Sequence, residues 1–395
     1  MTSRDLSAVA FDAVPGRPGA NLSGLLQALC DVESVSGNEK SLADQVEALL
    51  RSLPLLDVVR DGDAVVARTR LGRPQRIVLA GHLDTVPLTD PPNLPSRIVG
   101  GDGDYDDAGV GDGGNTDGDC VWGRGTVDMK AGVAIMLALA VELGGGVPGL
   151  SPRHDVTWVF YDNEEVDAVK NGLRRLVANR PDLLAGDFAI VGEPANGGIE
   201  GGCNGSIRVE VRTQGKAAHA ARAWVGVNAI HLAAPILDRL AGWESRQIDV
   251  DGLVYRESLS AVKISGGIAG NVIPDQCVVT VNYRYAPCAT PADAEAHLRA
   301  LFVGYEVTVI DSAAGARPGL DAPIAQEFVA AVVAAGGGQP RPKYGWTDVA
   351  RFAELGIPAV NFAPGNPLLA HTDNERVPIA QLAPCRDALR NWLLG

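Results

Sequence analysis

The strongest constraint on this sequence is a repeated local grammar in which a short, continuously apolar run ends beside an acid or a histidine. Residues 76–81 (RIVLAG) lead directly into His82, 156–161 (VTWVFY) shortly precede Glu164 and Glu165, and 188–192 (FAIVG) lead into Glu193; 359–362 (AVNF) form a fourth run. Runs without period-two alternation suit strands covered on both faces of a sheet. Helical patterns separate them at 130–143, 169–178 and 324–335, and two further helices are expected between Asn21 and Leu53, with Pro54 as a stop. Alternating strands and helices predict an α/β fold with a mixed, mostly parallel sheet flanked by helices. Such sheets place ligand sites beyond the carboxyl ends of their strands.

The middle of the chain follows a different rule. Segments 206–213 (SIRVEVRT), 260–265 and 277–285 alternate in period two, with a helix expected near 227–240. Half-buried strands with helices on one face make a small α+β domain. The expected organisation is therefore a larger domain, 1–204 and 315–395, interrupted by an inserted domain at 205–314. A chain of 395 residues is long for a single core, which agrees with two domains.

The formal net charge is −14 with no dense Lys/Arg cluster, which argues against nucleic acid and anionic membranes as partners. Six scattered cysteines without a CxxC pair suggest reduced thiols rather than a disulfide framework. With no leader-like N-terminus and no long apolar span, a cytoplasmic location is expected. The Gly/Asp-rich stretch 100–119 lacks the ligand order of a calcium loop and reads as a solvated insertion.

The candidate chemistry lies at the strand ends. Asp84 stands two positions after His82, so it can share a face with that ring and orient it. Asp128, within GRGTVDMKAG, reads on its own as the N-cap of the helix that follows. Glu164 and Glu165 read on their own as first-turn acids favoured by a helix dipole. Glu193 follows a strand, and His371 lies in the loop 366–375 (NPLLAHTDNE). Taken together, five strand ends or loops that deliver carboxylates and imidazoles to one rim suit a pair of divalent ions sharing one carboxylate.

These motifs, in this order, resemble the co-catalytic metallopeptidase family that includes succinyl-diaminopimelate desuccinylases, acetylornithine deacetylases, aminoacylases and glutamate carboxypeptidases. The resemblance runs from about Leu22 to the C-terminus. It implies that Asp128 bridges two divalent ions, zinc first with cobalt or manganese as alternatives. His82 and Glu193 would hold one ion, Glu165 and His371 the other, and Glu164 would be the general base, with Asp84 behind His82. The inserted segment would be a lid and dimerisation domain, giving a homodimer, and His219 (in GKAAH) would donate to the oxyanion.

Stretches 218–228, 270–275 with Arg284, and 345–352 are similar to the actinobacterial-type desuccinylases within that family. On that likeness Asn271, Arg284, Arg222, Thr347 and Arg351 are candidate substrate contacts. The sequence departs from the family at Ala220 and Ala223, where Ser and Pro are usual. The implied reaction is amide cleavage of an acylated amino acid, N-succinyl-LL-2,6-diaminopimelate first. Acetylornithine or another N-acyl amino acid is the alternative, and a non-catalytic binding protein is a third reading.

Overall fold

The structure, a computed structural model, describes residues 6–14, 21–100 and 118–395. The expectation of a solvated insertion at 100–119 falls almost wholly outside the described residues. The chain divides into two compact units, one comprising Met1–Gly201, Gly319–Arg341 and Arg351–Gly395, the other Gly202–Pro318 and Pro342–Ala350.

In the larger unit a mixed sheet runs, neighbour to neighbour, through Asp57–Asp61, Ala64–Arg68, Asp155–Tyr161, Arg76–His82, Phe188–Val191, Ala359–Asn361 and Glu200–Gly201. Asp155–Tyr161, Arg76–His82, Phe188–Val191 and Ala359–Asn361 are parallel to one another and form its centre. Every residue of Asp155–Tyr161 is buried, the reason its sequence shows no polar alternation. Parallel register sets His82 level with Tyr161, so the acids after Tyr161 and Val191 emerge at the same rim as His82.

Helix Ala131–Val141 packs on this sheet and is buried all round, as its uniformly apolar sequence requires. Its approach depends on two glycines: a Cβ on Gly132 would lie 2.3 Å from the Gly192 carbonyl oxygen. Trp392 of the C-terminal helix Ile379–Leu394 packs near Phe328 (4.9 Å) and Phe188 (6.1 Å), fastening helix Pro323–Ala334 to the sheet.

The two expected opening helices are Leu22–Cys30, capped by the Asn21 side chain, and Lys40–Arg51. A further helix, Leu6–Asp12, precedes them and buries Leu6 and Ala10 in the same core. The helix expected from 169 begins only at Gly172, where the Asn171 side chain accepts from the Arg174 amide.

The smaller unit holds an antiparallel sheet in the order Ser258–Gly266, Gln276–Tyr285, Gly205–Gln214, Glu306–Ala313. Inward residues Ile207, Val209, Val211, Val279 and Val281 form one core with Ile236 and Leu298 from its helices and with Phe302, which follows helix Pro291–Leu301. The helix expected near 227–240 is two helices, Ala229–Leu232 and Ala234–Ala241, because Pro235 opens the second. Segment 342–350, which the sequence reading left with the larger domain, clusters with this unit. Trp346 Nε1 donates to Ala314 O (3.0 Å) and the Asn204 amide donates to Lys343 O (3.3 Å). Among the described residues, no helix is long and apolar enough to cross a membrane.

Candidate metal centre

His82 ends its strand fully buried. Its Nδ1 lies 3.0 Å from the Asp84 backbone oxygen, and a carbonyl can only accept, so Nδ1 carries the proton. With Nδ1 engaged in this way, Nε2 is the nitrogen left for the facing acids, and it points at Asp128 Oδ1 (3.1 Å) and Glu193 Oε1 (4.0 Å). On the other side, His371 Nε2 lies 3.3 Å from Asp128 Oδ2 and 3.0 Å from Glu165 Oε2. Two donor triads result, His82–Asp128–Glu193 and Asp128–Glu165–His371, each with its donor atoms within 4.8 Å of one another. Asp128 belongs to both.

Local backbone explains how each donor arrives. Asp128 has φ −117° and ψ 98°, outside helical geometry, and helix Ala131–Val141 has Lys130 as its N-cap residue without a side-chain cap. The capping alternative for Asp128 therefore does not apply. Glu164 and Glu165 sit in the loop before Asn171, well short of the next helix, so neither is a first-turn acid. Instead their backbone amides both donate to the buried Asp84 carboxylate, each at 3.0 Å, and Ser36 Oγ adds a third bond at 2.7 Å. Asp84 thus fixes the His82 ring and the Glu164–Glu165 turn together. His371 adopts φ +64° in an exposed loop.

The electrostatics follow from three carboxylates facing two imidazoles. Burial opposes charge on His82, but its hydrogen bonds to Asp128 and Asp84 outweigh that and hold it well above its ordinary value. Asp128 and Glu165 beside it push His371 up to about 10. Burial alone would raise Asp128, yet His371 and His82 hold its carboxyl below the usual range. Burial raises Glu165, partly offset by His371. Carboxylates and imidazoles converging on this space form a mixed N/O donor set of the kind that suits zinc-like divalent ions.

The model of peptidase family M20/M25/M40 matches residues 78–394. This chain belongs to that family. Among M20 relatives, a Mycobacterium tuberculosis protein provisionally named succinyl-diaminopimelate desuccinylase DapE is 48% identical, covering 94% of this chain and 97% of its own. A Corynebacterium glutamicum protein named succinyl-diaminopimelate desuccinylase is 39% identical, covering 95% and 98%. Among solved structures, a Staphylococcus aureus tripeptidase superposes with a TM-score of 0.72 at 22% identity, covering 94% of this chain and 97% of its own, and so shares the M20 fold.

The other residues singled out by the sequence are distributed between the units. Arg351 lies in the larger unit, nearly buried, with its Nη1 donating to Glu354 Oε1 at 2.8 Å. His219, Arg222, Asn271, Arg284 and Thr347 belong to the smaller unit. There His219 pairs with Val272, and the next amide, Ala220, donates to Asn271 O (2.9 Å), so His219 and Asn271 are neighbours. His219 Nδ1 accepts from the Ala221 amide at 3.0 Å, leaving Nε2 as its outward nitrogen. Arg284 Nε donates to Asn282 Oδ1 at 3.1 Å.

Three participants near the donors were not singled out by the sequence reading. Glu375 accepts from the Val127 and Asp128 amides, and Arg124 pairs with Glu375. Lys130 is buried, its Nζ donating to Leu29 O (3.1 Å) and Val32 O (3.3 Å) at the end of helix Leu22–Cys30. All lie in stretches whose motif was noted, but no spacing rule links Arg124 to a residue 251 positions away.

Proposed function

We propose that this chain is a di-metal amidohydrolase that cleaves N-succinyl-LL-2,6-diaminopimelate to succinate and LL-2,6-diaminopimelate. The observation that carries the chemistry is the pair of donor triads sharing Asp128. His82, Asp128 and Glu193 would hold one divalent ion, and Asp128, Glu165 and His371 the other, with zinc the first expectation. Bound there, such ions lower the pKa of a water and polarise the scissile carbonyl.

The chain's own residues supply positioning and proton transfer. His82 presents Nε2 because Asp84 holds Nδ1. Glu164, on the turn fixed by Asp84, takes the proton of the attacking water at its carboxylate and delivers it to the departing amine nitrogen. We assign His219 as the donor to the oxyanion, through Nε2, since its Nδ1 is engaged. Asn271, Arg284, Arg222, Thr347 and Arg351 are assigned to substrate carboxylates; Arg is suited to bidentate pairing.

The substrate assignment is supported by the two relatives named as desuccinylases, which this chain matches over nearly their whole length. A homodimer is part of the proposal. Strand Ser258–Gly266 is one of the two outer strands of its sheet and exposes Val262 and Ile264, a surface suited to a second copy.

Amine release from N-succinyl-LL-diaminopimelate and N-acetylornithine, offered side by side to the zinc-loaded protein, tests the assignment. Preference for the succinyl compound is expected. Preference for the acetyl compound overturns the substrate, and inactivity on every N-acyl amino acid offered overturns the enzyme. A monomer by light scattering would reject the dimer.

A further inference from the structure

Two buried charged residues outside the donor set meet where three donor-bearing segments come together. Arg124 and Glu375 are 4% and 1% exposed and pair at 2.9 Å through Nη1 and Oε2. Arg124 Nε donates to Pro87 O (3.1 Å), on the segment that follows His82. Its Nη1 donates to Thr372 O (3.3 Å), the residue after His371. Glu375 Oε1 accepts from the amides of Val127 (3.0 Å) and Asp128 (3.2 Å), and the Glu375 backbone oxygen accepts from the Gly123 amide (3.1 Å).

A buried ion pair is weak as a source of stability, because desolvation offsets most of its attraction. What this pair does have is backbone reach: its side chains touch the segments carrying His82, Asp128 and His371. Two successive amides converging on one carboxylate oxygen fix the plane from which the Asp128 side chain departs.

We propose that Arg124 and Glu375 are positioning residues that set Asp128 and His371 in place for the metal ions; this rests on the di-metal reading above. Neither side chain need touch substrate. Glu375→Gln keeps one acceptor oxygen for the amides but turns an NH2 group toward Arg124, so the guanidinium loses its partner. In Glu375→Asp the carboxylate keeps its charge but falls one methylene short of the amides.

The test uses full-length protein stripped by a chelator and titrated with cobalt(II), reading visible absorption and calorimetric stoichiometry, with kcat and KM measured after loading. Glu375→Gln should weaken cobalt binding by about 10–100-fold and alter the absorption bands, as loss of an outer partner does at other sites. kcat should fall while KM holds, and Glu375→Asp should recover part of the affinity. If Glu375→Gln fails to fold, the double variant Arg124→Met/Glu375→Gln leaves no buried charge unpaired and carries the same expectation. Either variant folding with wild-type cobalt affinity and spectrum overturns the proposal. A double variant that also unfolds overturns it too, since the pair would then hold the fold rather than the site. Failure of the di-metal reading is distinguishable: the wild-type protein itself would not take up two cobalt ions.

Discussion

Replacing Asp84 with asparagine should weaken one metal position more than the other. Asp84 is fully buried and its two oxygens have different duties. Oδ1 accepts from the Glu164 amide (3.0 Å) and lies 3.5 Å from His82 Nδ1; Oδ2 accepts from the Glu165 amide (3.0 Å) and Ser36 Oγ (2.7 Å). An asparagine has one oxygen, so an NH2 group must replace one of the two. At the Oδ1 position it would face two N–H groups that cannot reverse. At the Oδ2 position it would face one amide and a hydroxyl that can rotate and accept. The second arrangement is favoured, and it leaves the Glu165 amide without its acceptor. An orphaned buried N–H costs about 1–3 kcal/mol. If that cost falls on the geometry of Glu165, the Glu165–His371 position should bind its ion roughly 10–100-fold more weakly. The His82–Glu193 position should change little. Stepwise calorimetric titration of the stripped variant with zinc, alongside a urea melt, measures both effects. Equal weakening of the two positions, or lost turnover with both affinities intact, would refute the reasoning.

Glu164→Gln should keep both ions and lose turnover by about 10²-fold or more, as removal of a proton-transfer group does; near-wild-type kcat with full metal content would reject the base assignment. Asp155 is a buried carboxylate that accepts from the amides of Leu71 (2.8 Å) and Arg73 (2.9 Å) and from Thr69 Oγ1 (2.7 Å). Burial pushes it up, but those donors outweigh burial and hold it below the ordinary value. Its stabilisation is therefore complete above the unfolded pKa of about 3.9 and lost as pH falls toward the lower folded value. Asp155→Asn should destabilise by about 1–3 kcal/mol at neutral pH, and urea melts should show the gap to wild type closing in acid; a constant gap would contradict this. Gly132→Ala would drive a methyl to 2.3 Å from Gly192 O, so it should destabilise by about 1–3 kcal/mol despite alanine's better helix propensity, and an unchanged melt would show that the contact can relax.

What could be read from the sequence was the part governed by local rules. The apolar runs at 76–81, 156–161 and 188–192 announce strands buried on both faces, and register then forces the residues after them to one rim. Asp128 was ambiguous because an aspartate before a helix is also a good cap. The non-helical φ/ψ at Asp128 separates the two readings, and it occurs where the neighbouring Val127 amide donates to Glu375, 248 residues away. Arg124, Glu375 and Lys130 escaped for the same reason: buried charges with distant backbone partners leave no periodic trace. The grouping of segment 342–350 with the smaller unit leaves no periodic trace in the sequence, because contacts such as Trp346 Nε1 to Ala314 O, the Asn204 amide to Lys343 O and Cys203 Sγ to Thr347 O join residues far apart in the chain.

The strand order has a consequence for synthesis on the ribosome. Phe188–Val191 has Arg76–His82 on one side and Ala359–Asn361 on the other, and the whole smaller unit is encoded between the latter two neighbours. At about 5–20 residues per second, the intervening chain takes on the order of ten seconds to emerge. For that interval the growing sheet has an open, apolar edge at Phe188–Val191, of the kind that recruits foreign strands. The inserted unit can finish folding before that edge closes.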